Sequence, residues 1–327
     1  MVHNKKFVIL ISGPTATGKT NMALQLGMTL PIEIINADIG SFYTHLNIGT
    51  AKPDWKKETI PHHFFDVIHD NNSWTAPQFR EQLKELIDQI WKRGNIPVVV
   101  GGSAFYIQSF FYKNHILQLP SEELLDSLEK ESSDHLWQTL YSIDPQRAEK
   151  INRNDHYRLV RALAIWYTQG QKPSEFEQIF DPIAPFYFIS LTRDRDQLYQ
   201  MIDERVDIMM KLGWLDEVRS LLHDESWVDF MMKKKMIGYD LLAQYLLGYH
   251  AEQELKEIID LIAQRTRNYA KRQITFLKKL VTNIKKDQAN HEFEEIRLSK
   301  IEECNLTLCD LSLYIKQLSE RISQFLK

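Results

Sequence analysis

The sequence predicts an α/β fold, a parallel sheet flanked by helices and interrupted once by an all-helical insertion. Three observations carry this. Short β-branched runs alternate with helical patterns over the first hundred residues, as strands joined by crossover helices do. A glycine-rich string lies between the first run and the first helix. Before the last strong apolar run, the stretch from Ser121 to Gln178 reads as helix throughout.

The strands come first as Phe7 to Ser12, Ile32 to Asn36 and Ile96 to Val100. Between the last two, Phe79, Leu83, Leu86, Ile87, Ile90 and Trp91 recur at helical spacing, with Thr75 as N-cap, Pro77 in the first turn and Gly94 just past the end. Phe186 to Leu191 supplies a fourth strand, and the sheet is expected to be complete there. Helices follow: Asp194 to Lys211, stopped by Gly213, then Asp216 to His223, then a long one from Glu252 to Thr282. From Asp287 the chain turns acidic and then places Leu311, Tyr314, Ile315, Leu318, Ile322 and Phe325 on one helical face, which is expected to dock on its own protein. The expected organisation is therefore a core from residues 1–112 and 186–286, a helical insertion at 113–185, and a helical tail at 287–327.

Composition excludes several classes. With 327 residues, 43% hydrophobic and 26% charged, the chain can bury a core and is neither disordered nor fibrous. No apolar run reaches the roughly 18 residues that a membrane span needs. The N-terminus runs straight into the first strand, so a cytoplasmic protein is expected. Cys304 and Cys309 cannot form a disulfide framework, and with His291 they lack the paired spacing of a zinc site. The net charge of −4 gives no general attraction to nucleic acid. Positive charge gathers locally, at Lys233, Lys234 and Lys235 and again between Arg265 and Lys286, where a polyanion would bind.

The glycine-rich string is Gly13, Pro14, Thr15, Ala16, Thr17, Gly18, Lys19 and Thr20, followed by a helix with Met22, Ala23, Leu26 and Leu30 on one side. A strand, this loop and a helix together form a phosphate-binding loop, so the fold is expected to be of the P-loop NTPase type. Its backbone N–H groups point inward, the helix N-terminus adds positive potential, Lys19 faces the terminal phosphates and the Thr20 hydroxyl is a ligand for Mg²⁺. Asp38 ends the second strand beside this loop, at the sheet edge where ligands of such folds bind, and is a candidate general base or a turn cap. The third strand ends in Val100, Gly101, Gly102 and Ser103, with no aspartate to hold a metal. Motor ATPases and GTPases are thereby disfavoured, which leaves small-molecule kinases and transferases with a diphosphate leaving group.

Over residues 7 to 280 the chain resembles the tRNA dimethylallyltransferases. The resemblance rests on Gly13 to Thr20; Asn36 to Pro53 with Tyr43; Pro61, His62 and His63; Val100 to Tyr106; Asn154 to Leu163; Ile237 to Tyr239; and Tyr269 to Phe276. It implies that the loop cradles dimethylallyl diphosphate, that Asp38 accepts a proton from the adenine amine beside the anticodon, and that Lys19, Mg²⁺ and Arg205 stabilise the departing diphosphate. It implies extrusion of that adenine into a channel. It further implies that Asp38, Ile39, Gly40, Ser41, Ser103, Tyr157, Arg158, Arg161, Lys235, Gly238, Tyr239, Lys271, Arg272, Gln273 and Lys278 touch the tRNA anticodon arm, the basic ones chiefly through phosphates. A monomer is expected.

The chain departs from the family pattern at Ile39 and Ser41, where serine and glutamine are usual, and at Met201 and Ser127, where arginine is common. Asp240 stands where a basic residue often follows the Gly-Tyr pair. These changes imply an intact donor site with altered RNA recognition. The competing expectations are an ATP-dependent kinase, with Arg147, Arg153, Arg158 and Arg161 as lid arginines, and a tRNA-binding paralogue without catalysis.

Overall fold

The computed structural model describes residues 6–72, 74–113, 120–176, 178–249 and 254–325. In chain order the elements are β1 (Val8–Ser12), α1 (Lys19–Gly27), β2 (Ile32–Asn36), β3 (His62–His63), α2 (Ala76–Lys92), β4 (Ile96–Gly101), α3 (Ala104–Phe111) and β5 (Tyr112–Lys113). Next come α4 (Glu122–Glu129), α5 (Ser133–Ile143), α6 (Pro145–Ala148), α7 (His156–Gln169), β6 (Ile179–Phe180), β7 (Phe186–Thr192), α8 (Arg195–Lys211), α9 (Trp214–Leu221) and α10 (Glu225–Lys234). The chain closes with α11 (Tyr239–Leu246), α12 (Leu255–Ala289), α13 (Glu294–Arg297), β8 (Lys300–Asn305) and α14 (Leu311–Phe325).

Among the described residues the main sheet is six-stranded, in the order β3-β2-β4-β1-β7-β8, with every pairing parallel. Strands β1, β2 and β4 are buried along their whole length, which is why they read as continuous apolar runs rather than alternating ones. Helix α2 starts as its sequence dictates: the Thr75 side chain accepts from the Gln78 N–H, Gln78 reaches back to Thr75, and Pro77 occupies the first turn. The long helix is described from Leu255, and the expected start at Glu252 lies outside the described residues.

Two expectations are corrected. The sheet does not end at Leu191, because β8 pairs with β7 from Tyr187 opposite Lys300 to Thr192 opposite Asn305. The segment after Asp287 is therefore not purely helical. Its strand, Lys300 to Asn305, is an exposed edge carrying charged side chains, a composition that masks it in the sequence and protects a free edge from further pairing. The apolar face of α14 does dock on its own protein: Ile315, Leu318 and Ile322 are buried in one cluster with Phe7, Ile9, Ala23 and Leu26. A second unexpected strand of this sheet, β3, extends the opposite edge through only two residues.

The chain divides into two compact units, one comprising residues up to Phe111 and from Pro182 onward, the other Tyr112–Asp181. The second is the insertion. Its helices begin at Ser121, Ser132, Asp144 and Asp155, each side chain accepting a backbone N–H of the first turn. Leu136, Leu140, Leu159, Val160 and Leu163 form its core. It is not all-helical as expected: it also carries the antiparallel pairing of β5 with β6, two residues each and too short to leave an apolar signal, and a 3₁₀ turn at Pro173–Glu175.

Candidate active site

The adjacent strands β2, β4 and β1 deliver three loops to one edge of the sheet: Ala37 to Ser41, Gly102 to Ser103, and Gly13 to Gly18. In an open parallel sheet this carboxyl edge is where ligands sit. The phosphate-binding loop keeps its shape through its own backbone. Gly18 has φ +96°, a left-handed value that costs a side-chain-bearing residue roughly 1–2 kcal/mol, and Ala16 accepts a similar conformation at φ 64°. The Thr17 hydroxyl donates to the Pro14 carbonyl at 2.7 Å. Lys19 folds over the loop, its Nζ donating to the same carbonyl at 3.1 Å.

Lys19 is only 8% exposed. Burial pulls its pKa below the usual lysine value; the Asp38 carboxylate opposes that shift and Arg205 adds to it. Arg205, on α8, donates from Nη1 to the Thr15 hydroxyl at 3.1 Å and from Nη2 to the Thr50 carbonyl at 3.4 Å. Desolvation lowers its pKa too, again against the pull of Asp38. Two desolvated cations thus stand at the loop with one carboxylate acting on both, an arrangement that an incoming dianion would relieve.

Asp38 is fixed on one side only. Its Oδ1 accepts the Gly102 N–H at 2.6 Å and lies 3.5 Å from the Ser103 hydroxyl. Its own N–H donates to Asn36 Oδ1 at 2.9 Å, and the Ile39 N–H donates to Ser103 Oγ at 3.0 Å. Oδ2 has no protein partner among the described residues and is available to take a proton from a substrate.

Gln273, on α12, joins these loops. Its Oε1 accepts the Thr15 N–H at 2.9 Å, and its Nε2 donates to the Gly102 carbonyl at 2.8 Å. Gly102 must lack a side chain for this, since a Cβ there would stand 2.6 Å from Gln273 Nε2 and 3.3 Å from Lys19 Nζ. All these groups open into a cavity of about 800 Å³. Thr15, Lys19, Thr20, Asp38, Arg205 and Gln273 make one part of its lining polar, while Tyr43, Phe65, Met209, Trp214, Phe230 and Met236 contribute an apolar wall.

The residues expected on RNA divide into four groups. Lys235, Lys271, Arg272 and Lys278 are exposed in the core unit, with Arg272 and Lys235 also lining the cavity. Ile39 is 40% exposed, and Gly40 and Ser103 line the cavity beside it. Tyr157, Arg158 and Arg161 are exposed on α7 of the insertion, where Arg158 pairs with Asp155 and Arg161 stacks over the Tyr157 ring. The fourth group is buried: Ser41, Gly238, Tyr239 and Gln273. Tyr239 donates to Glu217 Oε1 at 2.7 Å, and a Cβ on Gly238 would meet the Trp214 ring at 2.1 Å. Tyr239 and Gln273 thus brace the framework of the site while also lining the cavity.

The departures also acquire locations. Met201 lines the cavity, Ser127 donates to the Leu124 carbonyl within α4, and Asp240 is buried against Arg265 at 2.7 Å. Asp240 therefore neutralises a cation of α12. Sequence reasoning missed the Gln273 bridge, the Thr50 carbonyl under Arg205, and Tyr269, whose hydroxyl has its pKa raised by burial and by nearby Asp38. Tyr269 did stand in a family string, but no local pattern separates a cavity tyrosine from a core one.

Residues 41–280 match the family model for IPP transferase, and the chain is 40% identical over 278 residues to a tRNA dimethylallyltransferase of Anoxybacillus flavithermus, spanning 84% of this chain and 88% of the relative. The chain belongs to the IPP transferase family. A tRNA dimethylallyltransferase of Bacillus subtilis is 35% identical over 286 residues, spanning 85% of this chain and 90% of the relative. Among solved structures, the full-length tRNA isopentenylpyrophosphate transferase of Bacillus halodurans aligns with a TM-score of 0.67 and 29% identity, covering 98% of this chain and 97% of its own. A eukaryotic dimethylallyltransferase acting on tRNA aligns with a TM-score of 0.71 and 28% identity, over 97% of this chain and 77% of that one. Membership of this family makes the protein a prenyl-transferring enzyme with the P-loop fold and removes the kinase expectation.

Proposed function

We propose that this chain transfers a dimethylallyl group from dimethylallyl diphosphate to N6 of the adenosine 3′-adjacent to the anticodon in tRNA. The observation that carries the proposal is one cavity in which a phosphate-binding loop, two desolvated cations and a carboxylate with one uncommitted oxygen face each other beside an apolar wall. The loop amides, Lys19 and Arg205 hold the diphosphate, and the apolar wall takes the five-carbon chain. The adenine amine attacks the allylic carbon and forms the new C–N bond. The C–O bond to diphosphate breaks with its electron pair, and the proton on N6 passes to Asp38 Oδ2.

Mg²⁺ is part of the proposal. Thr20 is exposed at the first turn of α1, and one protein hydroxyl suits an ion that keeps most of its shell as water and phosphate oxygens. Among the described residues no cluster of three His, Cys, Asp or Glu groups offers a rival metal cage. When bound, the ion neutralises charge on the departing diphosphate. Extrusion of the adenine exposes its amine to Asp38, and the exposed cations of α10 and α12 hold surrounding phosphates. Among the described residues no helix is long and apolar enough to cross a membrane. A cytoplasmic monomer is proposed on the same footing.

The test is incubation with unmodified tRNA, Mg²⁺ and labelled dimethylallyl diphosphate, followed by nucleoside mass analysis. A mass gain of one dimethylallyl group on a single adenosine is expected. Labelled donor left intact, with tRNA still bound, would establish the non-catalytic paralogue instead.

A further inference from the structure

Phe105 is an apolar side chain in an unusual place. It lies in the first turn of α3, two residues beyond Ser103, and is 68% exposed. The rest of that helix puts Tyr106, Ile107, Phe110 and Phe111 into the core, so Phe105 is the aromatic side chain the helix turns outward. Its ring packs edge-on against Phe276 of α12, with centroids 5.6 Å apart and planes inclined at 66°. An edge-to-face pair leaves one face of at least one ring uncovered.

The pair is rigidly mounted. Phe276 follows Gln273 by three residues and Phe105 follows Gly102 by three, and it is Gln273 that hydrogen-bonds the Gly102 carbonyl at 2.8 Å. The bond that aligns the catalytic loops thereby also fixes the spacing of the two rings. Charge flanks them: Arg272 and Lys279 stand four residues before and three after Phe276, on the same side of the helix, and both are exposed. A solvent-facing ring, Phe105, backed by the half-buried Phe276 between two cations and next to a cavity lined by Ser103 and Arg272, matches the construction of surfaces that hold single-stranded nucleic acid.

We infer that Phe105, supported by Phe276, is a positioning residue that stacks an anticodon-loop base neighbouring the target adenosine. Extruding one adenine breaks two stacking contacts in the loop, and a protein ring offered to a neighbouring base replaces one of them. Arg272 and Lys279 hold the adjoining phosphates. The contact reads a π-face and so tolerates different bases, in keeping with a role in holding the opened loop rather than selecting its sequence. Phe105 touches neither donor nor reacting atoms and acts by keeping the loop open while Asp38 engages the amine. This inference rests on the proposed function.

The experiment uses the full chain and an anticodon stem-loop carrying 2-aminopurine at one or the other position flanking the target adenosine. Binding to the unaltered protein is expected to change the fluorescence at one of these positions. Phe105→Ala is expected to abolish that change, weaken stem-loop affinity roughly tenfold and raise KM for tRNA, with KM for dimethylallyl diphosphate unaltered. Phe105→Trp is expected to restore all three, whereas Phe105→Leu keeps apolar contact with Phe276 and is expected to restore none. Because the side chain is mostly in solvent, these variants should fold as the parent does. An undiminished fluorescence change and affinity in Phe105→Ala, with transfer intact, would overturn the stacking role alone. Failure of the unaltered protein to bind the stem-loop or to transfer the prenyl group would overturn the proposed function and this inference together.

Discussion

Gln273 and Thr15 lie 258 residues apart in the chain, yet the Gln273 carboxamide oxygen accepts the Thr15 N–H at 2.9 Å. The same carboxamide donates to Gly102, so one side chain couples the loop expected to hold diphosphate to the loop that fixes Asp38. The side chain is only 4% exposed. Gln273→Leu keeps the volume and deletes both bonds, leaving the buried Gly102 carbonyl unpaired at about 1–3 kcal/mol and the cavity-side Thr15 N–H without its protein acceptor. Lower thermal stability is expected, together with a higher KM for the prenyl donor. An unchanged donor KM would show that the loop holds its shape without the bridge.

Asp38 is expected to be indispensable for transfer and dispensable for tRNA binding. Asp38→Ala removes the proton acceptor, and a positioned general base contributes roughly 10²- to 10⁴-fold. The Gly102 N–H loses its acceptor, but that group lies beside the cavity, where water can replace the carboxylate. Transfer should fall by orders of magnitude while tRNA affinity stays near that of the parent. Near-normal turnover in this variant would take Asp38 out of the base role.

Lys19 and Arg205 should act on the donor rather than on RNA. Both sit against the loop with their charged forms disfavoured by desolvation, so a bound diphosphate stabilises them as they stabilise it. Lys19→Ala is expected to weaken donor binding by at least tenfold, since hydrogen bonds to charged groups contribute about 1.5–3 kcal/mol. Calorimetric titration with dimethylallyl diphosphate and Mg²⁺ provides the measurement. Equal affinity in parent and variant would argue against diphosphate in this loop.

Glu33 makes folding stability depend on acid pH. The carboxylate on β2 is buried and accepts hydrogen bonds from His63 Nε2 at 2.6 Å, from Arg93 Nε and Nη2 at 2.8 and 2.7 Å, and from Asn95 at 2.8 Å. Burial works to raise its pKa, but the hydrogen bonds from Arg93, Asn95 and His63 prevail and bring it from 4.5 down to about 2. A depressed folded-state value means that the unfolded chain binds the proton first. The stabilisation is therefore complete above about pH 4.5 and is lost as the pH falls from there toward 2. In acid titrations followed by circular dichroism, Glu33→Gln should be less stable at neutral pH and show a shallower loss between these limits. Parallel curves for the two proteins would remove Glu33 from the acid transition.

Much of this could be read in the sequence because it is local. The residues Gly13 to Thr20 encode their own backbone shape, and Asp38 follows directly from the strand that carries it. Helix α2 declares both ends through Thr75, Pro77 and Gly94. What could not be read depends on distant partners. A glutamine within an amphipathic helix gives no sign that its carboxamide meets Thr15, and nothing local to Tyr239 announces that Glu217 and Trp214 pack around it. Strand β8 hid for another reason. Lys300 to Asn305 is an edge, so only Cys304 of its side chains is fully buried and the apolar signal of a strand is missing.

That edge and the helix after it are expected to be part of the folded core. Leu318 on α14 is fully buried with Leu26 and Ala23 of α1, and Ser319 shares a hydrogen bond of 2.6 Å with Thr29. The tail also reaches the phosphate-binding loop: Arg193 donates from Nε to the Thr17 carbonyl at 3.1 Å and from Nη1 to the Leu306 carbonyl at 3.3 Å. Leu318→Ala should cost about 2–5 kcal/mol, the range for truncating a fully packed leucine. Its denaturation midpoint should drop accordingly, with donor KM altered far less, because the substitution leaves the Arg193 contacts in place. Arg193→Ala should show the opposite balance, a modest stability change with weaker donor binding. If Leu318→Ala unfolds at the parental midpoint, α14 is not packed on α1, and the tail is an appendage rather than the last layer of the sheet.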